Sequence, residues 1–304
     1  MSNVPVFPGR YIIEPSSTHK YTLIALHGLG STGRIFADRL LFGAPYQENA
    51  SEPDPEQASS RQFAPWTQRL PLHNIRFVFP TAPTRHLTIP HDRDVPAWFQ
   101  VSSFTDLEYK QEEQMAGLTE SVGFLSALID EEVRLLEAAG RSSRDLFLLG
   151  RSQGSSVTGW TFLTAVSKFQ IGGIVLAGSW LIFARALREV LGQVREGKNE
   201  NSMLAGVEDR PVPLEALDFA RSMVNASNLD EASDDGEVPI LMGHSTDDKW
   251  ISVKLGRQFR DVVRSAGCQV EWREYVGAEE EGHWLKDPEE FDAISDFLLR
   301  QMKS

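Results

Sequence analysis

The stretch of this chain best suited to chemistry is Gly150-Arg151-Ser152-Gln153-Gly154. It follows the apolar run 145–149 and opens a helical pattern at Gln153. That is the context of a strand-to-helix turn that lifts a serine hydroxyl into a site. The flanking glycines fit a turn too tight for a Cβ at either end. A serine hydroxyl needs a base to become a nucleophile, and the base needs an acid to orient it. Both are available downstream, each just past an apolar run. The run 239–242 leads into Gly243-His244-Ser245-Thr246-Asp247-Asp248, which supplies two adjacent acids. The run ending near Tyr275 leads into Gly282-His283-Trp284 before a last helical pattern. Serine, acid, histidine is the chain order of an α/β-hydrolase triad. Upstream, 21–26 runs into His27-Gly28-Leu29-Gly30-Ser31-Thr32-Gly33. A loop after an early strand can donate an amide to an oxyanion, paired with the amide that follows the nucleophile. Leu29 and Gln153 are those two candidates.

Four motifs together resemble one family. Leu26-His27-Gly28-Leu29-Gly30-Ser31-Thr32-Gly33, Phe79-Pro80-Thr81-Ala82-Pro83, Pro96-Ala97-Trp98-Phe99 and Ser152-Gln153-Gly154 are similar, in that order, to the motifs of acyl-protein thioesterases. These form the phospholipase/carboxylesterase group of α/β-hydrolases. The resemblance runs from about Thr22 to Leu299. It implies Ser152 as nucleophile, His283 as base and, from the spacing to the aliphatic Ile251, Asp248 rather than Asp247 as acid. It also implies that Trp98 and Leu29 line an acyl pocket. This chain departs from the family at several positions: Arg151 replaces an aromatic, Ser155-Ser156 small apolar residues, Gln100 an acid and Ser252 a proline.

These residues need a scaffold, and the rest of the chain reads as an α/β fold. Short apolar runs at 21–26, 75–79, 145–149, 171–177, 239–242 and 269–275 are continuous rather than alternating, as in strands of a mostly parallel, doubly wound sheet covered by helices on both faces. Apolar residues recur at spacings of three and four from 112 to 139, and Gly140 stops that helix. Further helices fit 153–166, 253–266 and 288–302, the last with Asp287 as N-cap and Pro288 at its first position. Two segments break the rhythm, 43–65 and the acidic 192–237. They read as solvated insertions in a single domain spanning 1–304, or as lids over the site.

Composition narrows the function. A formal net charge of −13 argues against nucleic acid and anionic membrane surfaces as partners. The single cysteine, Cys268, excludes an intramolecular disulfide framework and reads as a buried inert thiol. No run is long and apolar enough to span a bilayer, and the first residues lack a signal-peptide pattern, so a cytosolic protein is expected. Gly28-x-Gly30-x-x-Gly33 matches a dinucleotide fingerprint, but no second strand ending in an acid follows. His86 and His91 lack metal-ligand spacing, so neither cofactor nor metal is expected. His244 reads as structural. The acidic Glu279-Glu280-Glu281 before His283 would raise the basicity of its imidazole if it faced the ring. The function expected is cleavage of acyl esters or thioesters carried by a small molecule, lipid or protein. A small-metabolite carboxylesterase or lactonase is the alternative, and an idle hydrolase fold used for binding is the rival from another class. No sequence feature bears on the number of subunits.

Overall fold

The computed structural model describes residues 6–44, 64–88, 92–106, 108–165, 170–196, 212–225 and 238–303. Most of 43–65 and much of 192–237 therefore lie outside the described residues.

The apolar runs pair into one seven-stranded sheet of order β1-β3-β2-β6-β7-β8-β9. Its strands are β1 (Tyr11–Ile13), β2 (Tyr21–Leu26), β3 (Ile75–Phe79), β6 (Leu146–Arg151), β7 (Gly173–Ala177), β8 (Ile240–Ser245) and β9 (Val270–Tyr275). β1 is antiparallel to β3, and every other pairing is parallel. The runs are continuous because both faces are covered, and the two-residue period sorts each strand between two cores. Leu23, Ala25, Phe147 and Leu149 face one core with helices α1 (Gly33–Phe42) and α7 (Glu289–Met302). Ile24, Leu26, Leu146 and Leu148 face the other. That side is covered by α2 (Glu112–Ala138), α3 (Gln153–Ala165), α4 (Ala184–Glu196), α5 (Leu214–Asn225) and α6 (Val253–Ser265). This is the doubly wound α/β-hydrolase architecture. The strand order reverses between β2 and β6, where Leu26 pairs with Gly150. In such sheets the crevice beyond the carboxyl ends at the reversal is where ligands bind.

Several expectations shift. β6 and β8 extend past the expected bounds, through Arg151 and Ser245, because both loops continue the ladder toward the site. Gly140 does end α2, in the left-handed conformation with φ 74°. Asp287 does not cap α7. Pro288 occupies the capping position without a side-chain hydrogen bond. Helix α1 went unassigned although Thr32 caps it and Gly43 closes it in the left-handed region. Gly33 is explained by packing: a Cβ there would lie 2.1 Å from the Phe79 carbonyl oxygen. Gly33 thus seats α1 on β3. A two-stranded hairpin, β4 (Thr84–Leu87) with β5 (Arg93–Pro96), was also unanticipated, its strands being short and polar. Cys268 is half-buried rather than buried.

The acidic segment 192–237 is not uniformly a solvated insertion. It contains α5, whose Ala216, Leu217, Ala220 and Val224 recur at helical spacing and are buried against α3 and α4. Acids elsewhere in the segment mask that short stripe. Leu217→Ala is expected to lower the unfolding free energy by about 2–4 kcal/mol, since the cavity forms in a packed core. Chemical denaturation measures it, and a loss below about 0.5 kcal/mol would return α5 to the surface.

Candidate active site

The carboxyl end of β6 turns into α3 within one residue, and Ser152 takes the strain of that turn at φ 53°. A non-glycine residue in the left-handed region costs about 1–2 kcal/mol. Here the surroundings permit no alternative. A Cβ on Gly154 would sit 2.5 Å from the Leu26 carbonyl oxygen and 2.7 Å from that of His27. A Cβ on Gly150 would meet the Gly154 carbonyl at 2.7 Å. Gly150 is therefore required by the tightness of the turn itself, as the sequence suggested, and Gly154 by the close approach of α3 to the end of β2.

The structure brings Ser152, Asp248 and His283 into one hydrogen-bonded line. His283 Nδ1 lies 2.7 Å from Asp248 Oδ2, and its Nε2 lies 3.0 Å from Ser152 Oγ. With Nδ1–H donating to the carboxylate, Nε2 is left to accept the serine hydroxyl proton. Pairing of Ser245 with Tyr275 at the ends of β8 and β9 sets the acid and histidine loops side by side. The adjacent acids are resolved by where their oxygens point. Asp248 Oδ1 accepts the amides of Trp250 and Ile251, both at 2.9 Å, which frees Oδ2 for the histidine. Asp247 instead accepts the Gly277 amide at 2.9 Å and pins the neighbouring loop. Burial alone would raise the Asp248 carboxyl, but hydrogen bonds from His244 and His283 hold it well below the usual carboxylate range.

His244 is fully buried, with Nδ1 3.1 Å from the Ser179 carbonyl and Nε2 2.9 Å from that of Ile251. Nε2 also stands 3.5 Å from Asp248 Oδ2. His244 therefore stands directly behind Asp248.

Gln153 follows the serine directly, and Gly28, the neighbour of Leu29, packs against it: a Cβ there would lie 3.2 Å from Ser152 Cβ. Gln153 is the first residue of α3, where the backbone N–H has no intrahelical acceptor. Among the described residues, neither amide meets a hydrogen-bond acceptor within the protein. The Leu29 peptide is oriented by a residue that sequence reasoning missed. Buried His27 places Nδ1 2.6 Å from the Gly28 carbonyl, while its Nε2 accepts the Ala82 amide at 3.0 Å. These partners fix a neutral ring, and burial pushes its basicity down to about 4. The Gly28 carbonyl and Leu29 N–H belong to one planar unit, so holding the first aims the second away from His27. The only signal in sequence was the position of His27 at the mouth of the glycine loop.

Trp98 does not line an open pocket. It is fully buried, and its indole N–H donates to the His27 carbonyl at 2.8 Å. The Gln153 side chain bridges the strip, accepting the Trp98 amide and donating to the Phe99 carbonyl, both at 2.8 Å. Trp98 therefore braces the loop from behind. Leu29 is half-buried against Leu87 and Val95 of the hairpin and Ala97 just beyond it.

The acidic run before His283 acts otherwise than expected. Glu280 is engaged by Arg39 and Arg151, and Glu281 by Lys249 at 3.9 Å. Burial first, and Arg151 second, hold the His283 imidazole below the ordinary histidine range, against the pull of Asp248. A serine, base and acid so aligned, with two free amides alongside, can transfer an acyl group through a covalent intermediate. Among the described residues no group of three or more histidine, cysteine or acidic side chains is placed to hold a metal ion. No described helix is long and apolar enough to cross a membrane.

A sequence profile of the phospholipase/carboxylesterase family matches residues 57–228. Acyl-protein thioesterase 1 of Neurospora crassa is 24% identical over 293 residues, covering 96% of this chain and 91% of that protein. Acyl-protein thioesterase 1 homolog 2 of Dictyostelium discoideum is 32% identical over 244 residues, covering 80% and 77%. The crystal structure of Arabidopsis thaliana SOBER1 superposes with a TM-score of 0.58 at 21% identity, covering 93% of this chain and 99% of that one.

The ring environments give a direct expectation. In the unliganded protein, histidine NMR should show His283 titrating below pH 6.5 and His27 staying neutral until about pH 4. A His283 midpoint above 6.5 would mean that the acidic run, not burial, governs the ring.

Proposed function

The chain belongs to the phospholipase/carboxylesterase family of α/β-hydrolases, and from that premise we propose that it is a serine hydrolase cleaving acyl esters or thioesters through an acyl-enzyme. A hydrolase of the thioesterase/carboxylesterase type follows from the family. The serine mechanism rests on one observation, the continuous Ser152–His283–Asp248 line at 3.0 and 2.7 Å. Ser152 Oγ attacks the acyl carbonyl carbon while His283 Nε2 takes the hydroxyl proton. Asp248 holds the tautomer and stabilises the imidazolium that forms. The carbonyl oxygen, now an oxyanion, is received by the Leu29 and Gln153 amides. Collapse breaks the bond to the leaving oxygen or sulfur, which takes the proton from His283 and leaves the acyl group on Ser152. Water, deprotonated by His283, then attacks the acyl-enzyme, releasing the acid and restoring Ser152.

For the substrate we favour an acylated protein or lipid, in line with relatives named acyl-protein thioesterases. Small-molecule acyl esters are a second reading, supported by the relative named Carboxylesterase SOBER1. A single catalytic domain is part of the same proposal, supported by one sheet whose strands run from Tyr11 to Tyr275. So is a cytosolic location, supported by the acidic chain and its lone cysteine.

Ser152→Ala should leave the fold intact and lower kcat by about 10⁴-fold or more. Steady-state hydrolysis of p-nitrophenyl esters, with thermal melting as the fold control, measures both. Retention of a tenth of the activity would remove Ser152 from the mechanism.

A second comparison separates the adjacent acids. Asp248→Asn should reduce kcat by about 10³-fold or more, because the histidine is held in the wrong tautomer. Asp247→Asn removes only a loop contact and should cost less than about tenfold. Reversed severities would transfer the role to Asp247.

A further inference from the structure

Three charged side chains surround the loop that presents His283, and the hydrolytic reaction uses none of them directly. Arg151, the residue before the serine, is only 8% exposed. Its Nη2 donates to the His283 carbonyl at 2.8 Å and reaches Glu280 Oε2 at 3.2 Å. Arg39, from α1, forms an ion pair with Glu280 Oε1 and is also 8% exposed. The two guanidinium groups lie over the Trp284 ring, Arg39 at 3.6 Å and Arg151 at 4.7 Å from its centroid.

What this assembly grips is the least relaxed part of the site. Glu280, Glu281 and Gly282 are three consecutive residues in the left-handed region, with φ 54°, 55° and 87°. Only the third is glycine, so the turn is strained and must be held by its surroundings. Gly282 also passes close to the opposite loop, where a Cβ would lie 2.8 Å from the Asp247 carbonyl. Space for Arg151 is provided across the site: a Cβ on Gly28 would be 3.0 Å from Arg151 Nη1 and 3.6 Å from Ser152 Oγ. The arginine is thus wedged between the oxyanion loop, the serine and the histidine turn.

We propose that Arg151, Glu280 and Arg39 form a largely buried clasp that fixes the strained turn and so aligns His283 with Ser152, Arg151 serving as a positioning residue. The inference rests on the serine-hydrolase reading above. The charged and titratable groups acting on the His283 ring are Asp248 from the loop after β8, His244 from β8 itself and Arg151 from the serine turn, while Glu280, on its own loop, is taken up by the two arginines. Asp247 faces away, toward Gly277. Arg151 is the cation among them that cannot be titrated away, so its charge also favours the neutral, proton-accepting ring.

The test compares Arg151→Met, Arg151→Lys and Glu280→Gln in the full chain. Fluorophosphonate labelling and p-nitrophenyl ester kinetics are measured across pH, with thermal melts alongside. The parent protein must first label at Ser152, and failure there sinks the serine-hydrolase reading rather than the clasp. Arg151→Met removes the cation, so the acidic limb of kcat/KM should move up by about half a pH unit or more, with kcat down about tenfold and KM within about threefold. Arg151→Lys keeps the charge but not the forked contacts, so kcat should fall while the limb stays. Glu280→Gln should lower kcat without raising the limb. A folded Arg151→Met with the parent limb overturns the proposal, as does a limb in Arg151→Lys displaced as far as in Arg151→Met. If Arg151→Met does not fold, parent-level kcat in Arg151→Lys overturns it alone.

Discussion

The close approach of α3 to the carboxyl end of β2 is the constraint from which the rest of the site follows. Gly154 packs where a Cβ would stand 2.5 Å from the Leu26 carbonyl. That distance sets the start of α3, forces Ser152 into the left-handed region and leaves the first helical amide facing the crevice. It exists because β2 and β6 are neighbours at the point where the strand order reverses. Loops from two distant parts of the chain are thereby packed together, Gly28 against Ser152. A looser helix start would leave serine and amide individually present but mutually misplaced, and misplacement on the ångström scale is costly in catalysis.

Around that contact the polar groups are arranged in series. His27 orients the Gly28–Leu29 peptide, Trp98 holds the His27 carbonyl, and Gln153 fastens the Trp98–Phe99 backbone. His27, Trp98, Phe99 and Gln153 are all buried, so each hydrogen bond is made where losing one partner would strand the other away from water. The acid side is built the same way, with the Trp250 and Ile251 amides and two imidazoles converging on Asp248. Rigid support of this kind is what a preorganised oxyanion site requires.

The sequence was informative where the physics is local. The Gly150–Gly154 turn, the apolar strands and the α2 stripe each depend on residues a few positions apart. Asp247 and Asp248 were harder, because adjacent side chains differ only in which loop they face. Trp98 was misplaced for the opposite reason: a large aromatic beside a site motif looks the same whether it lines a pocket or backs one. Its indole N–H partner, 71 positions away, decides. Helix α5 was hidden by the acids around a four-residue stripe. From sequence Glu280 is one of three acids expected to raise the basicity of His283, yet its partners Arg39 and Arg151 come from α1 and β6.

The ion-paired cluster around Trp284 also has an evolutionary consequence. Two buried guanidinium groups share one half-buried carboxylate, and a buried charge stripped of its partner is destabilising. Loss of Glu280 would leave two cations facing each other over Trp284, and loss of either arginine would leave space beside the ring to be refilled. The three positions are therefore energetically coupled, so that a change at one alters what is tolerated at the other two. Exchanging the whole cluster for an apolar packing would take a concerted set of changes.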